Sequence, residues 1–177
     1  MNLLSIDCEF NQPSGKTIQI GAVVVNTAGL IIDRFETFVD PEENLNPDIV
    51  KLCDIHDRDL AGAPKIKEAF EMLEFFHAKN KCFTNPLVWG SGVRNDSLHI
   101  YEESGIKDRL NFMGYRVIDV KSIFQSVMMV QGKTVRGGLA KACSVLGIGF
   151  EGRPHGALPD AHNTARVFFN LMKAWKK

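Results

Sequence analysis

At 177 residues, with 45% hydrophobic and 24% charged side chains, the chain has the composition of one globular domain large enough to bury a core. Its 21 basic and 21 acidic residues cancel to a formal charge of zero, which excludes the basic excess of a protein that coats long duplex nucleic acid. A short single-stranded end gripped by metal ions needs no such excess.

Residues 2–7 form a short apolar run that suits a buried strand, and no basic leader precedes it, as a secretory signal would require. Thr17 to Asn26 (TIQIGAVVVN) is rich in β-branched residues. Leu30 to Val39 follows across Thr27-Ala28-Gly29, a turn that makes the first three strands a meander. Pro41 to Asn46 is a loop, and Pro47 is placed for the first turn of a short helix ending near Cys53. Pro64 opens a longer helix whose Ile66, Ala69, Phe70, Leu73, Phe76 and His77 share one face. PLVWG (86–90) is a short fourth strand, followed by a helix starting near Asp96. RVID (116–119) is a fifth strand that leads directly into a helix over Val120 to Val130. Another helix covers Gly138 to Leu146 and ends at Gly147. The last runs from Leu158-Pro159 to about Trp175, with Ala161, Ala165, Phe168, Phe169 and Met172 at helical spacing. Three early strands followed by strand–helix alternation predict an α/β sandwich around a mixed sheet, a single domain over residues 1–177. No apolar stretch approaches the length of a membrane span. Cys8, Cys53, Cys82 and Cys143 are widely spaced with no CxxC pair, which argues against a zinc site and for a reducing, cytoplasmic compartment.

The chemistry lies in the acids. Asp7 and Glu9 are two apart at the end of the first run, so as strand residues both point to one side of the sheet. Adjacent carboxylates repel, and a fold that keeps them together needs a compensating positive charge, for which hard divalent cations are suited. Asp96 in WGSGVRNDS, with His155 and Asp160 in HGALPDAHNTA, supplies two more acids and an imidazole. In-line displacement at a phosphodiester needs an activated water, neutralised phosphate charge and a stabilised leaving oxygen; two cations about 3.5–4 Å apart supply all three. Asp7 is placed to bridge them, Glu9 and Asp160 to complete the cluster around one, and Asp96 to support the second. His155 lies in a Gly- and Pro-flanked loop before the last helix. An imidazole, with its ordinary pKa of about 6.5, suits a general base near neutral pH. Plainer roles exist for each: a solvated strand end for Asp7 and Glu9, a helix N-cap for Asp96, a helix-dipole partner for Asp160, a surface side chain for His155. His162 is a rival base but lies inside the helix, and His56, His77 and His99 show no ligand spacing.

The order D-x-E (Asp7-Cys8-Glu9), then Asn95-Asp96 in a helix after the fourth strand, then H-x-x-x-x-D from His155 to Asp160, resembles the DEDDh 3′–5′ exonucleases, DnaQ-like members of the ribonuclease H-like superfamily. LCDIHDRDLAGAP (52–64) resembles that family's LTGI-x-x-x-x-L-x-x-AP stretch. Each motif is weak alone; in this order and over nearly the whole chain they make a strong match. The resemblance implies a ribonuclease H-like three-layer sandwich with a central mixed five-stranded sheet flanked by helices. It also implies two Mg²⁺ or Mn²⁺ ions on Asp7, Glu9, Asp96 and Asp160, His155 as the base, and release of nucleoside 5′-monophosphates from a 3′ end. The layout is closest to the Eri-1-like and KapD-like group, whose members tend to act on RNA. Single-stranded RNA is therefore the expected substrate. The alternatives are a DNA-directed proofreading or repair exonuclease and a catalytically silent nucleic-acid-binding module of the same fold.

Leu52 and Ile55 are either core residues of a short helix or an apolar shelf for the 3′-terminal base, which Phe10 would share. Two departures touch this region: Phe10 stands where many members carry Thr, and Cys53-Asp54 replaces the Thr-Gly of LTGI. Neither removes a metal ligand. Arg94, Lys133, Arg136, Lys141 and Arg153 flank the acid motifs and could steer phosphates. With no RNA-binding segment appended in these residues, targeting to a particular transcript is expected to need a protein partner.

Overall fold

Every residue of β2 (Thr17–Asn26) except the last is buried, which is what a continuous β-branched run becomes when both faces of its sheet are covered. It pairs antiparallel with β1 (Asn2–Phe10) on one side and β3 (Ile31–Phe38) on the other. The computed structural model describes residues 1–90 and 95–175. Within them β4 (Leu87–Val88) and β5 (Ile118–Asp119) extend the sheet in parallel, in the order β3-β2-β1-β4-β5. This is the mixed five-stranded sheet expected. The last two strands are two residues each, shorter than the 86–90 and 116–119 read from the sequence, because only Leu87, Val88, Ile118 and Asp119 pair between them.

Alternation along β1 and β2 sorts the core into two layers. Leu4, Ile6, Cys8, Ile20, Ala22 and Val24 pack with Phe70 and Leu73 of α3 (Ile66–Lys79) and Ile100 of α4 (Asp96–Glu103). On the other face Val23 and Val25 pack with α5 (Val120–Val130), α6 (Leu139–Val145) and α7 (Ala157–Trp175), through Phe124, Cys143, Ala165 and Leu171. A third cluster of Ile18, Leu45, Cys53, Ile55 and Leu60 seats α1 (Pro47–Cys53) and the one-turn α2 (Asp57–Leu60). The sequence pattern does not reveal α2, since four residues carry no helical period.

The start of α7 is fitted to the sheet by three residues. Gly21 pairs with Asp7, and a Cβ on it would fall 2.1 Å from the Leu158 nitrogen and 2.2 Å from the Ala157 carbonyl carbon. Gln19 accepts the Ala157 N–H at 3.0 Å and donates to Glu36 at 3.0 Å. The buried Ser5 hydroxyl donates to the Ala161 carbonyl at 2.8 Å. Glycine inside a strand usually marks such a close backbone approach. Gly21→Ala has backbone atoms, not a flexible side chain, in its way. The substitution is expected to lower stability by about 3 kcal/mol, measured from urea unfolding midpoints. A loss below about 1 kcal/mol would mean that α7 does not dock through this contact.

Candidate active site

Asp7 and Glu9 leave β1 on the side that faces α7, and Asp160 stands in the first turn of that helix. Docking of α7 over Gly21 brings the three together: one oxygen from each of Asp7, Glu9 and Asp160 lies within 4.8 Å of the others. Asp96 arrives from the opposite layer. Asn95, not Asp96, caps α4, its Oδ1 accepting the Leu98 amide at 3.0 Å. This leaves the Asp96 carboxylate free to accept the Cys8 N–H at 3.0 Å, between Asp7 and Glu9. β4 ends at Val88, so the last part of β1 has no strand beside it on that flank and the carboxylate takes the exposed amide. Asp96 thus flanks the trio without belonging to the group of three.

The electrostatics are those of a site built for a cation. Burial pushes the Asp7 carboxyl well above the usual carboxylate range, and the charges of Asp96, Asp160 and Glu9 push it further. Glu9 is raised to about 7, by burial first, with the Cys53 thiol pulling it back and Asp160 and Asp96 adding to the rise. Burial raises Asp96 to about 6 against the opposing Cys8 amide and His99. Asp160 also reaches about 6, burial outweighing the amide and the charge of His155. Among the described residues Asp160 Oδ1 is buried with no hydrogen-bond partner. An orphaned carboxylate oxygen beside two other acids is costly unless a cation completes it. All the donors are oxygens, which fits Mg²⁺ or Mn²⁺ and not a thiolate- or imidazole-seeking metal.

Around the acids, the Cys53 thiol donates to Glu9 Oε2 at 3.2 Å. Burial and the neighbouring Glu9 charge push that thiol up to about 12, so it stays a neutral donor. His155 is exposed, with φ of +61°, between Pro154 and Gly156. Of the shelf residues, Leu52 is 46% exposed, whereas Ile55 is 3% exposed and lies in the third core cluster. Ile55 is therefore a core residue and offers no surface, whereas Leu52 does. Phe10 is half-buried, with its ring edge-on to His99 at 4.7 Å.

The other histidines are occupied elsewhere. His99 meets the Gly15 carbonyl at 2.8 Å, His77 the Phe83 carbonyl at 3.4 Å and His56 the Asp54 carboxylate at 3.2 Å. His162 lies 3.8 Å from Glu151, and burial lowers its pKa. Of the basic residues, Lys133, Arg136 and Lys141 are exposed, Arg153 pairs with Asp54 at 2.6 Å, and Arg94 lies outside the described residues. Sequence reasoning missed Ser5, Gln19, Gly21 and the Cys53–Glu9 contact. Only Gly21 left a trace, as a glycine interrupting a β-branched run. The four cysteines are free, and among the described residues no helix is long and apolar enough to cross a membrane.

Residues 4–168 match the family model RNase_T, described as an exonuclease family. The chain is 30% identical over 168 residues to a DNA polymerase III PolC-type from Staphylococcus aureus, an alignment that covers 92% of this chain and 10% of the polymerase. It thus spans about a tenth of the length of that curated relative. The fold is similar to that of cell-death related nuclease 4 (TM-score 0.82, 19% identity, 98% of this chain and 64% of that one). It is also similar to the nuclease domain of 3′hExo, a DEDDh family member bound to rAMP (TM-score 0.77, 18% identity, 98% and 92%). The α/β architecture is ribonuclease H-like.

The raised carboxyl pKa values set a stability profile. The folded, metal-free protein holds protons that the unfolded chain, with ordinary acids near pH 4, has already released. The corresponding stability is present below about pH 4 and lost as pH rises through the folded values of about 6 for Asp96 and Asp160 and about 7 for Glu9. In EDTA the melting temperature is therefore expected to fall between pH 5 and 7.5, and to fall less steeply in Asp7→Asn. At pH 7.5 that variant should melt about 2–4 °C above the parent for each kcal/mol of repulsion removed. Mn²⁺ or Mg²⁺ should restore the parent alone to its low-pH stability. Parallel pH profiles of the two proteins in EDTA would contradict this account.

Proposed function

The chain belongs to the RNase T family of exonucleases, of the DEDD type, and from that premise we propose a two-metal 3′–5′ exonuclease of single-stranded nucleic acid, favouring RNA. The observation that carries the reading is the convergence of Asp7, Glu9 and Asp160, with donor oxygens within 4.8 Å and one Asp160 oxygen buried without a partner. Asp7, Glu9 and Asp160 would hold one Mg²⁺ or Mn²⁺ ion, and Asp7 with Asp96 would hold a second. Bound there, the ions supply neutralisation of phosphate charge, an acidified water and stabilisation of the leaving oxygen.

The chain's own groups do the rest. An imidazole nitrogen of His155 accepts a proton from the attacking water as the new P–O bond forms. The bond from phosphorus to the 3′ oxygen of the penultimate nucleotide breaks and that oxygen takes a proton from solvent, leaving a nucleoside 5′-monophosphate and a new 3′-hydroxyl. Leu52 and Phe10 form the apolar shelf for the terminal base, with Ile55 packed beneath. Residues 1–177 work as one exonuclease domain in the cytoplasm, supported by the single sheet and the four free cysteines.

RNA is favoured by the Eri-1-like and KapD-like layout of the motifs and by the likeness to a nuclease domain that binds rAMP. The 30% identity to a DNA polymerase III supports a second reading, a proofreading or repair exonuclease on DNA. The two share metal ligands and differ in whether contacts use the 2′-hydroxyl. Matched 5′-labelled single-stranded RNA and DNA, followed in Mg²⁺ and in Mn²⁺, should give a ladder shortening one nucleotide at a time, faster on RNA and abolished by EDTA. Faster shortening of DNA would select the second reading; no cleavage with any metal would leave a silent binding module. Asp7→Asn is expected to lower kcat by roughly a thousandfold, the several kcal/mol that a metal centre contributes. His155→Ala should lower it by about 10²–10⁴-fold. Full activity of repurified Asp7→Asn would sink the proposal.

A further inference from the structure

The loop that carries His155 is anchored in two different ways. Its first part is tied to α7. Asn163 accepts the Glu151 amide at 3.1 Å and donates to the Glu151 carbonyl at 2.8 Å, and Arg166 donates to the Ile148 and Gly149 carbonyls at 2.7 and 2.9 Å. Its second part reaches across the molecule instead. Arg153 Nη1 lies 2.6 Å from Asp54 Oδ2, and the same guanidinium reaches the carbonyls of Cys53 and Leu52 at 3.4 and 3.5 Å.

Asp54 is an unusual occupant of its place. It ends α1 in the left-handed conformation, φ 60° and ψ 31°, with its N–H closing on the Val50 carbonyl. Glycine or asparagine suits that backbone better than aspartate does. The carboxylate's own contacts are with Arg153 and, at 3.2 Å, with His56. A ring of contacts results around the acidic trio. Glu9 takes the Cys53 thiol, the Cys53 carbonyl takes Arg153, Arg153 stands two residues before His155, and the His155 amide acts on Asp160.

We propose that Arg153 and Asp54 form a latch between the end of α1 and the His155 loop, and that Arg153 is thereby a positioning residue for the base. The inference rests on the base role proposed above for His155. The guanidinium–carboxylate pair holds residues 152–155 against α1, so that the imidazole two residues on is presented to the attacking water. Both side chains are about half exposed or more, 49% for Arg153 and 62% for Asp54, so the pair adds little to global stability. Its effect on rate is larger, because a base displaced by about 1 Å can lose up to 10²-fold.

Asp54→Gly is the clean test: it removes the carboxylate and gives the left-handed backbone the residue that suits it. Its melting temperature should equal or exceed the parent's while kcat on a short 5′-labelled single strand falls about tenfold, with KM within about twofold. Arg153→Ala should show the same split, the double variant should be no slower than the slower single variant, and Arg153→Lys should regain part of the rate. Arg153→Ala that raises KM at unchanged kcat would overturn the latch and make Arg153 a phosphate contact. So would a double variant whose loss equals the product of the two single losses. Asp54→Gly with full kcat, beside a slow His155→Ala, would overturn the latch alone. His155→Ala with full kcat would overturn the base role and the latch together.

Discussion

Mutual repulsion among buried carboxylates is the constraint on which the rest of this structure depends. Asp7, Glu9 and Asp160 share one small volume: burial raises all three, the charges of Asp96, Asp160 and Glu9 raise Asp7 further, and those of Asp160 and Asp96 raise Glu9. A fold holding such a group without a cation keeps part of it protonated at neutral pH or gives up stability. Positive charge at this site would therefore stabilise the fold at neutral pH, and the cores on both faces of the sheet hold the acids in place. Cys53 and the Cys8 amide satisfy one oxygen each on Glu9 and Asp96, while one oxygen of Asp160 is left for a cation.

Bringing the acids together is work for the sheet and one helix end. β1 supplies two carboxylates on one face by strand alternation alone, but the third requires α7 to lie on β2 at a particular height. Gly21 admits the backbone of Ala157 and Leu158, and Gln19 and Ser5 hold it. His155, immediately before α7, is carried into place by the same docking. The helix, Asp160 and His155 are thus positioned together, and a disturbance at a glycine in the middle of the core reaches all three.

The surroundings divide between rigidity and exposure. The region of α1 is packed on Ile18, Leu45, Ile55 and Leu60, and this gives a firm underside to the exposed Leu52. The His155 loop is more open, and its anchors are polar: Asn163 and Arg166 on one side, Arg153 and Asp54 on the other. The exposed Arg153–Asp54 pair contributes little to the free energy of folding, whereas the fully buried Asn163 fixes the first part of the loop as part of the core.

The strand meander, the helices over residues 47–53 and 120–130, and the membership of the acids in one motif were legible in the residues, because period, capping and spacing are local properties. Asp7 and Glu9 face one way in any strand, and cap chemistry at Asn95-Asp96 marks the start of α4, although it is Asn95 and not Asp96 that caps it. The sequence alone therefore determined the ligand types, the α/β class and the family. Other features were decided by tertiary structure: which oxygen of Asp160 stays without a partner, that Ile55 is core and Leu52 surface, that Gly21 faces a helix backbone, and that Arg153 meets a carboxylate ninety-nine residues before it. Each depends on a contact between segments distant in the chain. No local pattern encodes it, because it forms only when the two faces of the sheet are packed.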